Sequence, residues 1–245
     1  MVNNFIKSEV VSSMLRTLSK CCALVAAASL AAAPAWAGGR PYDPSRDWFG
    51  HIGGGWAFPQ GDTGDVLDDD WTFSGGALYW PSAWPIGLSI EAAYTDFDLS
   101  SSAIRAINDA IDQDPNNDGN ISGGGVDYWE LGLNGIWSLS GGNGNGLYLT
   151  GGAGWYHVGG EVTQDGLVYY PPVCDPWFWW CYPGGVGPGT FVVGSTSTDE
   201  FGWNLGAGYS FNTYNGQFFI EAKYHQIQWE NKNIEFIPLT IGFRW

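Results

Sequence analysis

The last nine residues confine the chain more tightly than anything else in it. Ile237, Leu239, Ile241, Phe243 and Trp245 alternate with Pro238, Thr240, Gly242 and Arg244. Period-two alternation puts successive side chains on opposite faces of an extended strand, so one face here is wholly apolar. The pattern recurs upstream. Over 217–229, Phe218, Ile220, Ala222 and Tyr224 oppose Glu221, Lys223 and His225; over 126–139, Trp129, Leu131, Leu133, Trp137 and Leu139 oppose Glu130, Asn134 and Ser138. Over 86–97, Ile86, Leu88, Ile90, Ala92 and Tyr94 oppose Ser89, Glu91 and Thr95, and over 199–211, Trp203, Leu205, Ala207, Tyr209 and Phe211 oppose Asn204, Gly206, Gly208 and Ser210. A soluble β-sandwich also alternates, but turns its charged face to water. Strands that pair an apolar face with a charged one suit a wall with lipid outside and a polar lumen inside.

Three weaker, Gly-rich and aromatic segments, 47–58, 71–80 and 146–161, bring the number to eight. An even number closes an antiparallel barrel with both ends on one side. The connections alternate in length. Pro81–Pro85, Gly141–Asn145 and Asn212–Gly216 are short and rich in turn residues; 59–70, 98–125 and 162–198 are long, and 231–235 forms a shorter fourth. Short periplasmic turns and longer outer loops have this asymmetry. The 15 Trp and 37 Gly, with only 14% charged residues, fit aromatic girdles on a barrel better than a soluble surface. The expected fold is all-β: an eight-stranded antiparallel transmembrane β-barrel with long outer loops.

The barrel is expected to follow a cleaved signal peptide over 1–37. Met14 offers a second start before the basic Arg16 and Lys20, an apolar run extends to Ala33, and Ala35-Trp36-Ala37 is a small-residue cleavage site. The run is too short for a membrane helix. Residues 38–245 then form the barrel, exported by the secretory pathway to the outer membrane. Losing Glu9 from 25 acids and Lys7, Arg16 and Lys20 from 9 bases leaves 24 and 6, a net charge of −18. Nucleic acid is excluded as a partner, since it needs a basic footprint.

Two segments, Phe219-Ile220-Glu221-Ala222-Lys223-Tyr224 and the terminal Ile237–Trp245, carry a resemblance to the eight-stranded outer-membrane β-barrel family that includes outer-membrane protein A and outer-membrane protein X. The terminal segment resembles the signal read by the barrel-assembly machinery, with Trp245 where Phe is more usual. The resemblance implies a location, outer-membrane lipid and the assembly machinery as partners, and a fold. It implies no single activity.

Candidate functional residues fall into three groups. Glu91, Glu130, Glu221, Lys223 and His225 lie on lumen faces by parity, and buried charges must pair, so an ion-paired plug around Lys223 is expected. It reads either as polar filling or as a narrow path for ions or small solutes; the small lumen of eight strands favours filling. In the second outer loop, Ile104, Ile107 and Ile111 mark a short amphipathic helix. It leads into Asp114, Asn116, Asp118 and Asn120, spaced as the first oxygen ligands of a Ca²⁺ loop with Gly119 at the sharp turn. Position 12 is Gly125 rather than a bidentate Glu, so the alternative is a solvated Asp/Asn turn. In the third loop, Cys174 and Cys181 are the cysteines left after cleavage and are expected to pair, stapling Trp177, Phe178, Trp179 and Trp180. Such an apolar tip either contacts a partner surface, glycan or lipid, or folds down to cap the barrel or lie on the lipid headgroups.

A Ser-His hydrolase of the lipid-deacylating kind finds no support: His51, His157 and His225 are followed at two residues by Gly53, Gly159 and Ile227. The expected function is therefore a non-enzymatic structural or surface-interaction role carried by the outer loops, with a narrow channel as the alternative.

Overall fold

The computed structural model describes residues 46–81, 83–113, 119–140, 145–170, 172–175, 180–182, 184–229 and 232–245. The expected leader, 1–37, lies outside them. Eight strands close into a barrel: β1 (Trp48–Gln60), β2 (Asp70–Tyr79), β3 (Ile86–Asp98), β4 (Gly123–Ser138), β5 (Gly146–Tyr170), β8 (Gly185–Thr213), β9 (Gly216–Trp229) and β10 (Lys232–Arg244). Each pairs antiparallel with its neighbours, and β10 closes on β1 with Trp56 opposite Leu239 and Ile52 opposite Phe243. Two short strands, β6 (Val173–Asp175) and β7 (Trp180–Tyr182), pair at the far end of the β5–β8 hairpin. The shortest wall strand has 10 residues, enough for a tilted strand to cross a hydrocarbon core, which takes about 9–11.

Parity decides the faces. Leu88, Ile90, Leu131, Leu133, Leu205, Ile220 and Ile241 are exposed on the outside, while Ser89, Glu91, Glu130, Asn134, Glu221 and Thr240 from the same strands are buried. A one-residue slip would invert both sets. Aromatic rings gather toward the two ends of the wall. Tyr94 contacts both Trp71 and Trp129, at 5.2 and 4.7 Å between ring centroids; at the other end Phe218 lies between Phe211 and Phe243, at 5.6 and 5.0 Å. These belts sit where amphipathic rings meet lipid headgroups.

One lumen position requires glycine. A Cβ on Gly242 would strike the Phe219 ring and the Ile52 carbonyl oxygen, so the bare backbone of β10 lets Phe219 lie flat across the lumen wall. Arg244 in turn places its guanidinium carbon 4.4 Å from the centre of that ring.

The ends differ. β8 and β9 are joined by two residues, Tyr214 and Asn215, where Thr213 Oγ1 donates to the Gly216 carbonyl at 3.0 Å. At the opposite end, the expected helix spans Ser101–Asp112 and begins where Ser100 accepts a hydrogen bond from the Ala103 amide at 3.2 Å. That end departs from expectation in two places. The segment 162–198, expected as an irregular loop, is largely strand: β5 runs on to Tyr170 and β8 starts at Gly185, in continuous register but for a bulge at Val162/Thr163. Its Gly and Ser/Thr content reads as loop, but paired strands tolerate both residue types on a solvated ribbon. The fourth connection is also shorter than 231–235, because β10 already begins at Lys232.

Candidate functional site

The lumen is filled in layers. Nearest the short turns, Phe49, Leu78, Trp80, Ile136 and Tyr148 form one apolar cluster. Arg244 bounds it, donating to Tyr148 Oη and Gln217 Oε1, both at 3.0 Å. The middle layer is ionic. Lys223, only 4% exposed, reaches between β3 and β9 to bond Glu91 and to lie 3.3 Å from Glu221 Oε1. Glu91 also contacts His51 Nε2 at 3.2 Å. Glu130 Oε2 lies 3.4 Å from His225 Nδ1, which is 2.9 Å from the Tyr156 hydroxyl. The space left among His51, Glu91, Asn134 and Glu221 is about 10 Å³, room for about one water. A second apolar layer, including Phe97, Tyr128, Ile227 and Phe236, lies above the ionic one, with Phe236 stacked on His225 at 4.9 Å.

Each lumen residue expected from parity is buried, and the structure brings them into one interior. Sequence reasoning missed His51 as their partner and Arg244 as the lower anchor. The signal for His51 was weak because its strand, His51-Ile52-Gly53-Gly54-Gly55, is diluted by glycine. Arg244 was visible on the inner face of the clearest strand.

Above the upper apolar layer the mouth opens. A cavity of about 360 Å³ lies between the helix Ser101–Asp112 and the β4–β5–β8 wall. The helix is fastened at both ends. Asn108 donates to the Ile121 carbonyl at 2.9 Å and accepts from its amide at 2.7 Å, while Leu99 and Ser100 donate backbone bonds to Gly124 and Val66.

Beyond the mouth, β5 and β8 rise as a two-stranded arm. β9 pairs with β8 no further than Gly202, opposite Ile227, and β4 pairs with β5 no further than Thr163. Leu167, Tyr169 and Val186 lie on one face of the arm, 77%, 65% and 66% exposed. From Gly146 to Thr213 the chain has no Lys or Arg.

The remaining expected residues sit on this outer side. Asp114, Asn116 and Asp118 lie outside the described residues, and Asn120 is exposed. Gly125, at position 12 of the expected calcium loop, belongs to β4 opposite Asp98 and Glu161, so no second helix completes an EF-hand. The backbone register sets Cys174 directly opposite Cys181. Trp177, Phe178 and Trp179 lie outside the described residues; Trp180 opens β7. His157, on the outer wall face, bonds Asp199 at 2.6 Å.

A closed antiparallel wall with an apolar outer face, aromatic belts and an ion-paired interior defines an outer-membrane β-barrel. The chain belongs to the outer membrane protein beta-barrel domain family, whose pattern matches residues 22–245, and the outer membrane is accordingly its place. Solved structures of similar fold include Ail, the attachment invasion locus protein of Yersinia pestis, crystallised with the heparin analogue sucrose octasulfate. It is 13% identical with a TM-score of 0.45, over 82% of this chain and 100% of Ail. The N-terminal β-barrel domain of Pseudomonas aeruginosa OprF is 13% identical with a TM-score of 0.38, over 82% and 98%. Neisserial surface protein A is 11% identical with a TM-score of 0.40, over 81% and 96%. No curated protein matches the chain in sequence.

Proposed function

We propose that this barrel is a non-enzymatic surface protein whose arm, formed by β5 and β8, contacts a partner outside the cell, while its lumen serves as structural filling. The observation that carries the reading is the contrast between the two halves of the molecule. The lumen holds apolar, ionic and apolar layers in turn, and the space among His51, Glu91, Asn134 and Glu221 has room for about one water. The arm stands clear of the barrel with large apolar side chains exposed, and exposed apolar patches on a rigid scaffold are a mark of contact sites. The partner surface is neutral or cationic, because the arm carries Asp165, with Glu161, Asp199 and Glu200 at its base, and no Lys or Arg. A sulfated polyanion of the kind bound to Ail fits poorly on such a surface. The non-enzymatic part rests on the histidines: His51 and His225 are buried among lumen groups, and His157 is paired with Asp199.

Export by the leader and delivery through the C-terminal strand to the assembly machinery complete the proposal. The test pairs two measurements on the refolded chain. Planar-bilayer recording is expected to show no discrete openings; regular openings would restore the channel reading. Cell adhesion is expected to fall when Gly166–Gly189 is replaced by a short turn. Undiminished adhesion with a folded barrel would overturn the role of the arm.

A further inference from the structure

We propose that the cavity under the helix Ser101–Asp112 is a binding site for a small uncharged molecule with an apolar, ring-sized body and one hydrogen-bonding group. Its apolar lining is Leu99, Ile107, Val126, Val158, Val162 and Trp229. Ser195, Thr196 and Thr198 bring hydroxyl-bearing residues to it, and Glu161 also lines it. An engineered apolar cavity of about 150 Å³ accepts benzene, so the 360 Å³ found here is roomy enough for a bicyclic ring system, and it falls within the range of ligand pockets, about 300–1,000 Å³. The space opens toward solvent at the mouth, and an apolar body resting in it takes its own surface and that of the lining out of water together.

The chain's own neighbouring segments are poor occupants. Residues 114–118 are Asp-Pro-Asn-Asn-Asp, and 230–231 are Glu-Asn, all unsuited to an apolar space. The aromatic segment 176–179 is attached beyond Tyr170, roughly 25 Å of strand past Val162 at about 3.3 Å per residue. Charge narrows the class further. No Lys or Arg occurs on β5 or β8, and an anionic ligand entering beside Glu161 and Glu200 would meet like charge. The roof is built to hold its place: Asn108 clips the helix to Ile121 from both sides of its amide, so Ile107 faces the space from a fixed position.

The probe is 1-naphthol, a neutral bicyclic alcohol, titrated into the full refolded chain in lipid nanodiscs with methyl-labelled Ile, Leu and Val. The expected result is saturable shifts of the Ile107 and Val162 methyls. Val162→Trp, which fills the cavity, weakens binding by about tenfold or more, and the anion 1-naphthoate binds weaker by a similar factor. Val168→Trp, on the arm and away from the cavity, leaves binding unchanged and controls for general disturbance. Asn108→Ala loosens the roof and weakens binding while the outer-wall methyls of Leu131 and Leu205 keep their positions. Shifts that grow linearly with probe without saturating, or that survive Val162→Trp in a folded barrel, would overturn the proposal and reduce the effect to lipid partitioning. Adhesion through the arm is a separate readout, so either proposal can fail alone.

Discussion

Replacing Lys223 with Met probes the ionic layer most directly. The ammonium is buried between Glu91 and Glu221, and Met keeps the length of the side chain while removing its charge. Two carboxylates then face each other through the lumen, with His51 as the remaining partner of Glu91. Breaking a buried pair by deleting one partner costs about 3–5 kcal/mol, because the other charge is left uncompensated. That is a large share of a total stability of about 5–15 kcal/mol. Urea unfolding of the refolded protein in lipid vesicles, followed by Trp fluorescence and by the mobility of unheated samples in gels, reads the loss. The triple variant Lys223→Met, Glu91→Gln, Glu221→Gln removes all three charges. It should recover most of the stability, since neutral amides need no counter-charge and similar-sized replacements of whole buried ion groups are often near neutral. The reasoning is refuted if Lys223→Met stays within about 1 kcal/mol of the parent, or if the triple variant is as unstable as the single one.

Further expectations are independent of that layer. Gly242→Ala drives a methyl group into Phe219 and the Ile52 carbonyl, and should lower stability by about 1–3 kcal/mol in the same unfolding assay, whereas Gly135→Ala, where the nearest atom is 3.7 Å away, should be tolerated. If Cys174 and Cys181 pair as their register allows, the oxidised protein takes up no alkylating reagent until it is reduced, and mass spectrometry reads this directly; uptake before reduction refutes the pairing. Terbium luminescence should report metal binding at Asp114–Asn120 with a Kd on the order of 10⁻⁴–10⁻³ M, weak for want of the bidentate Glu, and Asp118→Asn should abolish it; a signal unchanged in that variant places the metal elsewhere.

Much of the wall was legible because two rules act on the same residues. Period two sets the faces, and lipid outside forbids charge there, so Ile86-Leu88-Ile90 and Glu91 declare their sides without any partner in view. The lumen charges followed from that parity alone. Their pairing did not: that Lys223 meets Glu91, far away in sequence, depends on register around a closed ring, which alternation leaves open. The arm was hidden for a different reason. Outside the membrane both faces of a ribbon are wet, and Gly187-Pro188-Gly189 or Ser195-Thr196-Ser197-Thr198 then shows no apolar period. The mouth cavity was half legible. The Ile104, Ile107 and Ile111 stripe announced a helix with something apolar to cover, but only the folded chain places Ile107 over a space rather than against a side chain.

The layered interior has a consequence for how such a protein changes over evolutionary time. Every layer is completed by side chains from within the membrane-crossing part of the wall or just above it, and none draws on the arm beyond Val162 and Gly194. The part that specifies folding is therefore separable from the arm. Lengthening, shortening or exchanging the hairpin tip would leave the packing beneath it intact, so the tip is free to drift in sequence. A barrel layered in this way behaves as a socket: the arm can be rewritten while what holds the wall together stays the same.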